Sequence, residues 1–320
     1  MGMRHRNDNM LLRIAQGDAY GMAREYVKTK DFPEHVAEVM KFERYLQHPS
    51  YHKLPPGTYT DDTQMSIAVS ETLLYAKEYE LNPNGDRNWD DDLDPETFVA
   101  RFHIAFKRDQ RDGYSRHFQA ILEEAKDPTH LRQLITPNSN KNGAAMRSVP
   151  IGVIKDPKEV IRVAGLQAAT THATWGGINS SISVALMSHF ALYDRRDFNC
   201  MHKWCSSWSQ AHELFSEPWV GPVQENSRDK RGLGVGMNTA WAVQHLLTTE
   251  TSLMGILKRA IELGGDTDSV CAIAWGIASC RYQDEVLPEF LERDLEKANG
   301  SAYGPAYLRA LGKQLMDAYA

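Results

Sequence analysis

The sequence predicts an all-α fold, one compact multi-helix domain spanning residues 1–320. Apolar residues recur at helical spacing through most of the chain, and no series of alternating apolar and polar runs joined by hairpin turns is present. Nor do strand-like and helical segments alternate in the manner of a parallel sheet. With 42% hydrophobic and 24% charged residues in 320, the chain has the material for a deep core.

Taken in order, Leu11, Leu12, Ile14, Ala15 and Met22 mark a first helix. Within RIAQGDAYGMARE (13–25), Gly17, Ala19 and Gly21 leave room for a close helix neighbour. A second helix is expected over 34–47. Met65, Ala68, Val69, Thr72, Leu73 and Ala76 then line a helix that follows TYTDDTQMSIAVSETLL (58–74). Residues 81–95 (LNPNGDRNWDDDLDP) carry Asn-Gly, Pro and an acid cluster and read as a solvated loop, after which Pro95-Glu96 opens a helix over 95–107. Residues 136–152 (TPNSNKNGAAMRSVPIG) mix turn formers with small residues and read as a connection. Helices are expected over 157–172, 178–193 and 198–215. A polar stretch, 216–236, joins them to helices over 238–249, 252–263, 268–281, 284–298 and 303–319.

Charge and composition narrow the function classes. A formal net charge of −6 argues against a protein that tracks nucleic-acid phosphates. No apolar run approaches membrane-span length, and the polar start MGMRHRNDNM lacks a signal-peptide apolar region. Four cysteines (Cys200, Cys205, Cys271, Cys280) make no disulfide framework, so a cytoplasmic protein without a membrane partner is expected. Cys200, His202 and Cys205 in NCMHKWC lack a second pair with zinc spacing and share their helix with Trp204 and Trp208, which points to core packing. GLGVG (232–236) follows no strand and does not fit a dinucleotide fingerprint.

Two helix starts are acid-rich: Thr60-Asp61-Asp62, and Asp266-Thr267-Asp268-Ser269 in LGGDTDSVCAIAWGIA. Either set, taken alone, reads as helix capping, because Asp, Thr and Ser accept first-turn amides and suit the positive helix end. Together they supply more carboxylates than caps need. Hard cations such as Mg²⁺ take oxygen ligands, and acids at two helix starts can surround one ion or bridge two. Glu25, at the end of the first helix, is a surface glutamate by itself and a candidate general base beside a metal pair. Asn142 and Gly143 in NKNGAAMR would let backbone amides approach a phosphate. Arg147 offers either a forked cationic contact or a salt bridge. His172 in ATTHATWGG reads as a hydrogen-bonded structural residue or a ligand contact.

As a set, GDAYGMARE, TYTDDTQM, NGAAMRSVPIG, TTH and LGGDTDSVCAIAWGIA resemble the ADP-ribosylglycohydrolase family, the group that includes the dinitrogenase-reductase-activating enzymes. The resemblance runs from about residue 8 to residue 281 and implies an all-α domain with a binuclear Mg²⁺ centre, Mn²⁺ being the alternative, in a central cleft. It implies Thr60, Asp61, Asp62, Asp266, Asp268 and Ser269 as metal ligands, Ser269 standing where the family usually has Thr. Glu25 and Asp62 become the catalytic residues, with Asp109 or Asp112 in KRDQRDGYS as the alternative acid. Asn142, Gly143, Met146, Arg147 and His172 would lie along the ADP-ribose cleft. The implied activity is removal of ADP-ribose from a modified protein, most simply from arginine, reversing a regulatory or toxin-catalysed modification. The alternative is a non-catalytic immunity protein of the same fold that occludes an ADP-ribosyltransferase toxin.

Overall fold

The computed structural model describes residues 2–80, 93–208, 221–224, 233–298, 300 and 302–320. Among these the architecture is helical, with two isolated β-bridges, Asn138 with His172 and Val223 with Gly265, and no strand. In chain order the α-helices are α1 (Met10–Gly21), α2 (Pro33–Val39), α3 (Asp61–Glu80), α4 (Pro95–Arg108), α5 (Arg116–Glu124), α6 (Pro128–Leu134), α7 (Pro157–Ala169), α8 (Trp175–Tyr193), α9 (Met201–Trp208), α10 (Val235–Thr249), α11 (Leu253–Leu263), α12 (Thr267–Ala278), α13 (Phe290–Arg293) and α14 (Pro305–Tyr319). No helix among the described residues is long and apolar enough to cross a membrane.

Recurrent local chemistry starts these helices. Asp94, Asp127 and Asp156 each stand before a proline and accept an amide of the first turn, from Thr97 (2.7 Å), His130 (2.8 Å) and Lys158 (3.0 Å). Proline at the first helical position loses no bond, because that amide would be unpaired anyway. Thr174 caps α8 and Ser252 caps α11 in the same way.

The core is centred on α12, every residue of which is buried, and α1 packs along it more extensively than any other pair of helices meets. The glycines of α1 permit that approach. A Cβ on Gly17 would lie 2.6 Å from the Cys271 carbonyl oxygen, and one on Gly21 would lie 2.5 Å from that of Thr267. The contacting atoms are backbone, so they cannot rotate away. The buried apolar side chains form a single contiguous cluster that also takes in α3, α4, α8, α10 and α14.

Several expected boundaries move. The helix expected over 34–47 stops at Val39, with Phe42 in a left-handed conformation at φ 55°. That over 284–298 shrinks to Phe290–Arg293, since Pro288 precedes it and Glu296 takes a positive φ of 60°. Residues 170–172 turn instead of extending α7, which frees His172 to pair with Asn138. Helix α8 begins three residues before 178, because the Thr174 cap overrides the low propensity of Gly176 and Gly177. Helices α5 and α6, of nine and seven residues, were not expected. The 136–152 connection contains a 3₁₀ turn at Val149–Val153. Residues 81–92 of the expected 81–95 loop, the end of the 198–215 helix and most of the 216–236 connection lie outside the described residues. Cys205 is buried and Trp204 stacks on His189 at 5.5 Å, as expected for core packing.

Candidate active site

The two acid-rich helix starts, far apart in sequence, face one cleft of about 810 Å³. Its lining includes Glu25, Asp61, Asp62, Asn142, Gly143, Met146, Arg147, His172, Asp266, Asp268 and Ser269. Thus every anticipated site residue borders the cleft except Thr60, which is fully buried behind it.

The acids are not engaged as ordinary caps. Asp266 stands at the N-cap of α12 and makes no side-chain cap bond. At α3 the amides are instead taken by Asp18, reaching across from α1. Its two oxygens accept the Thr60 N–H at 3.1 and 3.0 Å, and one of them also accepts the Thr63 N–H (3.1 Å) and hydroxyl (2.6 Å). The Thr60 hydroxyl accepts the Asp62 N–H at 3.3 Å. With these donors satisfied from behind, Asp61 and Asp62 Oδ1 border the cleft, while Asp62 Oδ2 accepts the Thr60 hydroxyl at 3.4 Å.

Glu25, Asp266 and Asp268 each place a carboxylate oxygen within 4.8 Å of the others. Asp266 Oδ2 accepts the Tyr26 hydroxyl at 2.7 Å and the Asn142 amide at 3.2 Å. Asp62 Oδ1 and Asp268 Oδ1 are buried with no hydrogen-bond partner among the described residues. Burial pushes both carboxyls well above the usual range. Asp18, Asp61 and Asp266 add to this at Asp62, as Glu25, Asp266 and Asp62 do at Asp268. Asp61 is raised to about 7, by burial first and then by Asp18, while Asp18 is raised to about 6 by its own burial.

Carboxylates this crowded either hold protons or neutralise a cation. Two orphaned carboxylate oxygens in an all-oxygen donor set fit a hard divalent ion.

The other wall differs from the sequence expectation in one respect. Arg147 borders the cleft, yet its buried guanidinium bonds to Gln167 and Thr171 and lies over the Phe102 ring at 4.4 Å. Burial lowers its pKa, against the opposing effects of Tyr114 and Asp61. His172 is held neutral, its pKa lowered to about 3 by burial, then by Arg147 and Lys141.

Asp109 and Asp112 do not border the cleft. Asp109 pairs with Arg111 (2.7 Å) and Asp112 with Lys53 (3.3 Å). The end of that loop and the first turn of α5 instead contribute residues 113–118 to the cleft wall. Sequence reasoning also passed over Asp18, Tyr26 and Thr171. Each sat inside a quoted motif or beside it, but nothing local distinguishes a carboxylate that caps another helix from one on the surface.

The model of the ADP-ribosylglycohydrolase family matches residues 4–320. The chain is 24% identical over 327 residues to the ADP-ribosylhydrolase ARH3 of Bos taurus, covering 88% of this chain and 86% of that protein. It is 31% identical over 295 residues to ARH3 of Xenopus tropicalis (72% and 75% covered). To the ADP-ribosyl-[dinitrogen reductase] glycohydrolase of Rhodospirillum rubrum it is 23% identical over 279 residues (87% and 85%). A solved chain of an ADP-ribosylglycohydrolase-related protein complex superposes with a TM-score of 0.71 at 20% identity, over 99% of this chain and 98% of that one, and so shares the fold. Since the family match covers nearly the entire chain, the protein belongs to the ADP-ribosylglycohydrolase family.

Proposed function

We propose that the protein is a divalent-metal-dependent hydrolase that removes ADP-ribose from a modified protein side chain, arginine being the first candidate. The observation that carries this reading is the meeting of two acid-rich helix starts at one cleft with Asp62 Oδ1 and Asp268 Oδ1 unpartnered. Asp61, Asp62, Asp266, Asp268 and Ser269 would hold the ions, two Mg²⁺ or Mn²⁺. Thr60 would join them only by turning its hydroxyl from Asp62, which it now faces at 3.4 Å. Bound there, such ions supply Lewis acidity and grip sugar hydroxyls.

The rest of the chemistry belongs to the chain. Cleavage at the ribose anomeric carbon passes through an oxocarbenium-like state and needs an activated water. Glu25 borders the cleft beside Asp266 and Asp268 and would take the proton of that water, whereas Asp109 and Asp112 are paired elsewhere. Tyr26 and Asn142 hold Asp266 in place by donating to one of its oxygens. Asn142, Gly143, Met146 and His172 would anchor the remote part of the substrate, which positions the reacting ribose. The free cysteines suit a reducing cytoplasm. A protein that only occludes a toxin has no use for so many cleft carboxylates, which favours turnover.

Incubating the protein with an ADP-ribosylated arginine protein and Mg²⁺ should release free ADP-ribose, and EDTA should stop it. Binding of ADP-ribose with no release from any linkage, arginine or serine, would replace the enzyme reading with the occlusion reading.

A further inference from the structure

We infer that Arg147 and Thr171 are positioning residues that fix His172 as an Nε2–H donor facing the cleft, so the ligand group beside Gly143 is a hydrogen-bond acceptor. The inference follows from counting donors along a buried chain of side chains. Gln167 Nε2 lies 2.9 Å from the Ala144 carbonyl oxygen, 2.9 Å from Ser148 Oγ and 2.7 Å from Ser181 Oγ, three acceptors that share its two hydrogens. A carbonyl can only accept, so the Gln167 amide has one orientation and its oxygen faces Arg147. Arg147 Nε donates to that oxygen at 2.7 Å, and Nη2 donates to the Gln167 carbonyl (3.3 Å) and to Thr171 Oγ1 (2.7 Å).

Arginine has no acceptor, so Thr171 Oγ1 must accept from it. The hydroxyl hydrogen of Thr171 is then left for His172 Nδ1, 2.7 Å away. Reversing that bond would strand a buried hydroxyl hydrogen, which costs more than the bond itself is worth. Nδ1 is therefore the acceptor. Burial and the nearby cations keep the ring neutral, so its single proton sits on Nε2. That edge of the ring lies against Gly143: a Cβ there would stand 2.9 Å from His172 Cε1 and 3.0 Å from Nε2. Both residues border the cleft. Arg147, a direct ligand contact in the sequence reading, thus acts through Thr171 and His172.

Only the identity of the ligand rests on the proposed function; the tautomer does not. The test uses the full chain with ¹⁵N-labelled histidine and long-range ¹H–¹⁵N correlation, the His172 signals being assigned by their loss in His172→Gln. Near neutral pH the wild type should show a pyridine-like Nδ1 and a pyrrole-like Nε2. Thr171→Val, which keeps the shape and removes the hydroxyl, should mix the tautomers and weaken ADP-ribose binding roughly fivefold, the worth of one hydrogen bond. Thr171→Ser should restore both. A protonated Nδ1 in the wild type, or a Thr171→Val tautomer identical to wild type, overturns the inference. Should Thr171→Val fail to fold, the wild-type and Thr171→Ser spectra decide it: a pure Nε2–H form in both sustains it, and a mixture in either defeats it. If the wild type shows the expected tautomer and never binds ADP-ribose, the proposed function falls and the positioning chain stands.

Discussion

At the scale of single residues, position separates Glu25 from the other acids. It follows the 3₁₀ turn Met22–Arg24 and is only partly buried, so its side chain borders the cleft without belonging to the apolar face of α1. Its backbone carbonyl accepts from His48 Nε2 at 2.9 Å, and that bond survives any change of side chain. Glu25→Gln should consequently fold and melt near wild type, bind ADP-ribose with little change, and hydrolyse about 10²–10⁴-fold more slowly, the usual loss for a missing general base. Single-turnover rates would check this. Full turnover in the mutant would remove Glu25 from the reaction.

At the scale of elements, the contact between α1 and α12 holds the site together. Gly21 lies against the first turn of α12, where a Cβ would meet Thr267 O at 2.5 Å and Asp268 Cα at 2.6 Å. The Thr267 hydroxyl in turn donates to the Gly21 carbonyl at 2.8 Å. An added methyl must push the two helices apart at the residue that carries Asp268. Gly21→Ala is expected to cost about 1–3 kcal/mol of stability, as overpacking does, and to weaken Mg²⁺ binding as well. Urea melts and a Mg²⁺ titration would show both; an alanine variant with wild-type stability and affinity would mean that the helix start tolerates displacement.

At the scale of the whole molecule, the buried acids couple stability to pH and metal. Asp61 titrates near 7 in the folded protein, and Asp62 and Asp268 are likewise held well above the ordinary carboxyl range. For a carboxyl raised on folding, the native state binds more protons than the unfolded one between the two pKa values. Stability therefore falls as pH rises through that window. His172 and His189, lowered to about 3 and about 4, act with the opposite sign, but the unfolded imidazoles are half titrated at about pH 6.5 and little of their contribution is left to gain above about pH 7. Between about pH 7 and 8, where folded Asp61 is still losing its proton, the carboxyl effect should dominate and the metal-free melting temperature should decline. Cations compete with those protons, so the rise in melting temperature on adding Mg²⁺ should be larger at the higher pH. Thermal scans in EDTA and in Mg²⁺ at both ends test this. A Mg²⁺ effect that shrinks with pH would show that the acids do not act as metal ligands.

By itself the sequence determined the helical class, most helix positions and the ordered motifs that mark the family, because periodicity, caps and spacing are local. The glycine spacing in α1 was legible for the same reason, as a strip with no Cβ. Short helices such as α5 and α6 were not, since about two turns offer too few repeats to stand out within a polar stretch, amphipathic though α5 is. Tertiary structure alone decided which acids meet. Asp18 looks like any helical aspartate until α1 lies beneath α3, where its carboxylate replaces the caps that Asp61 and Asp62 would otherwise have been. Asp109 and Asp112 stood as alternative acids to Glu25 in the sequence, and the fold pairs them with Arg111 and Lys53. Asp18 meets Thr60 and Thr63 across 42 and 45 residues and Asp112 meets Lys53 across 59, and only the packed chain specifies such neighbours.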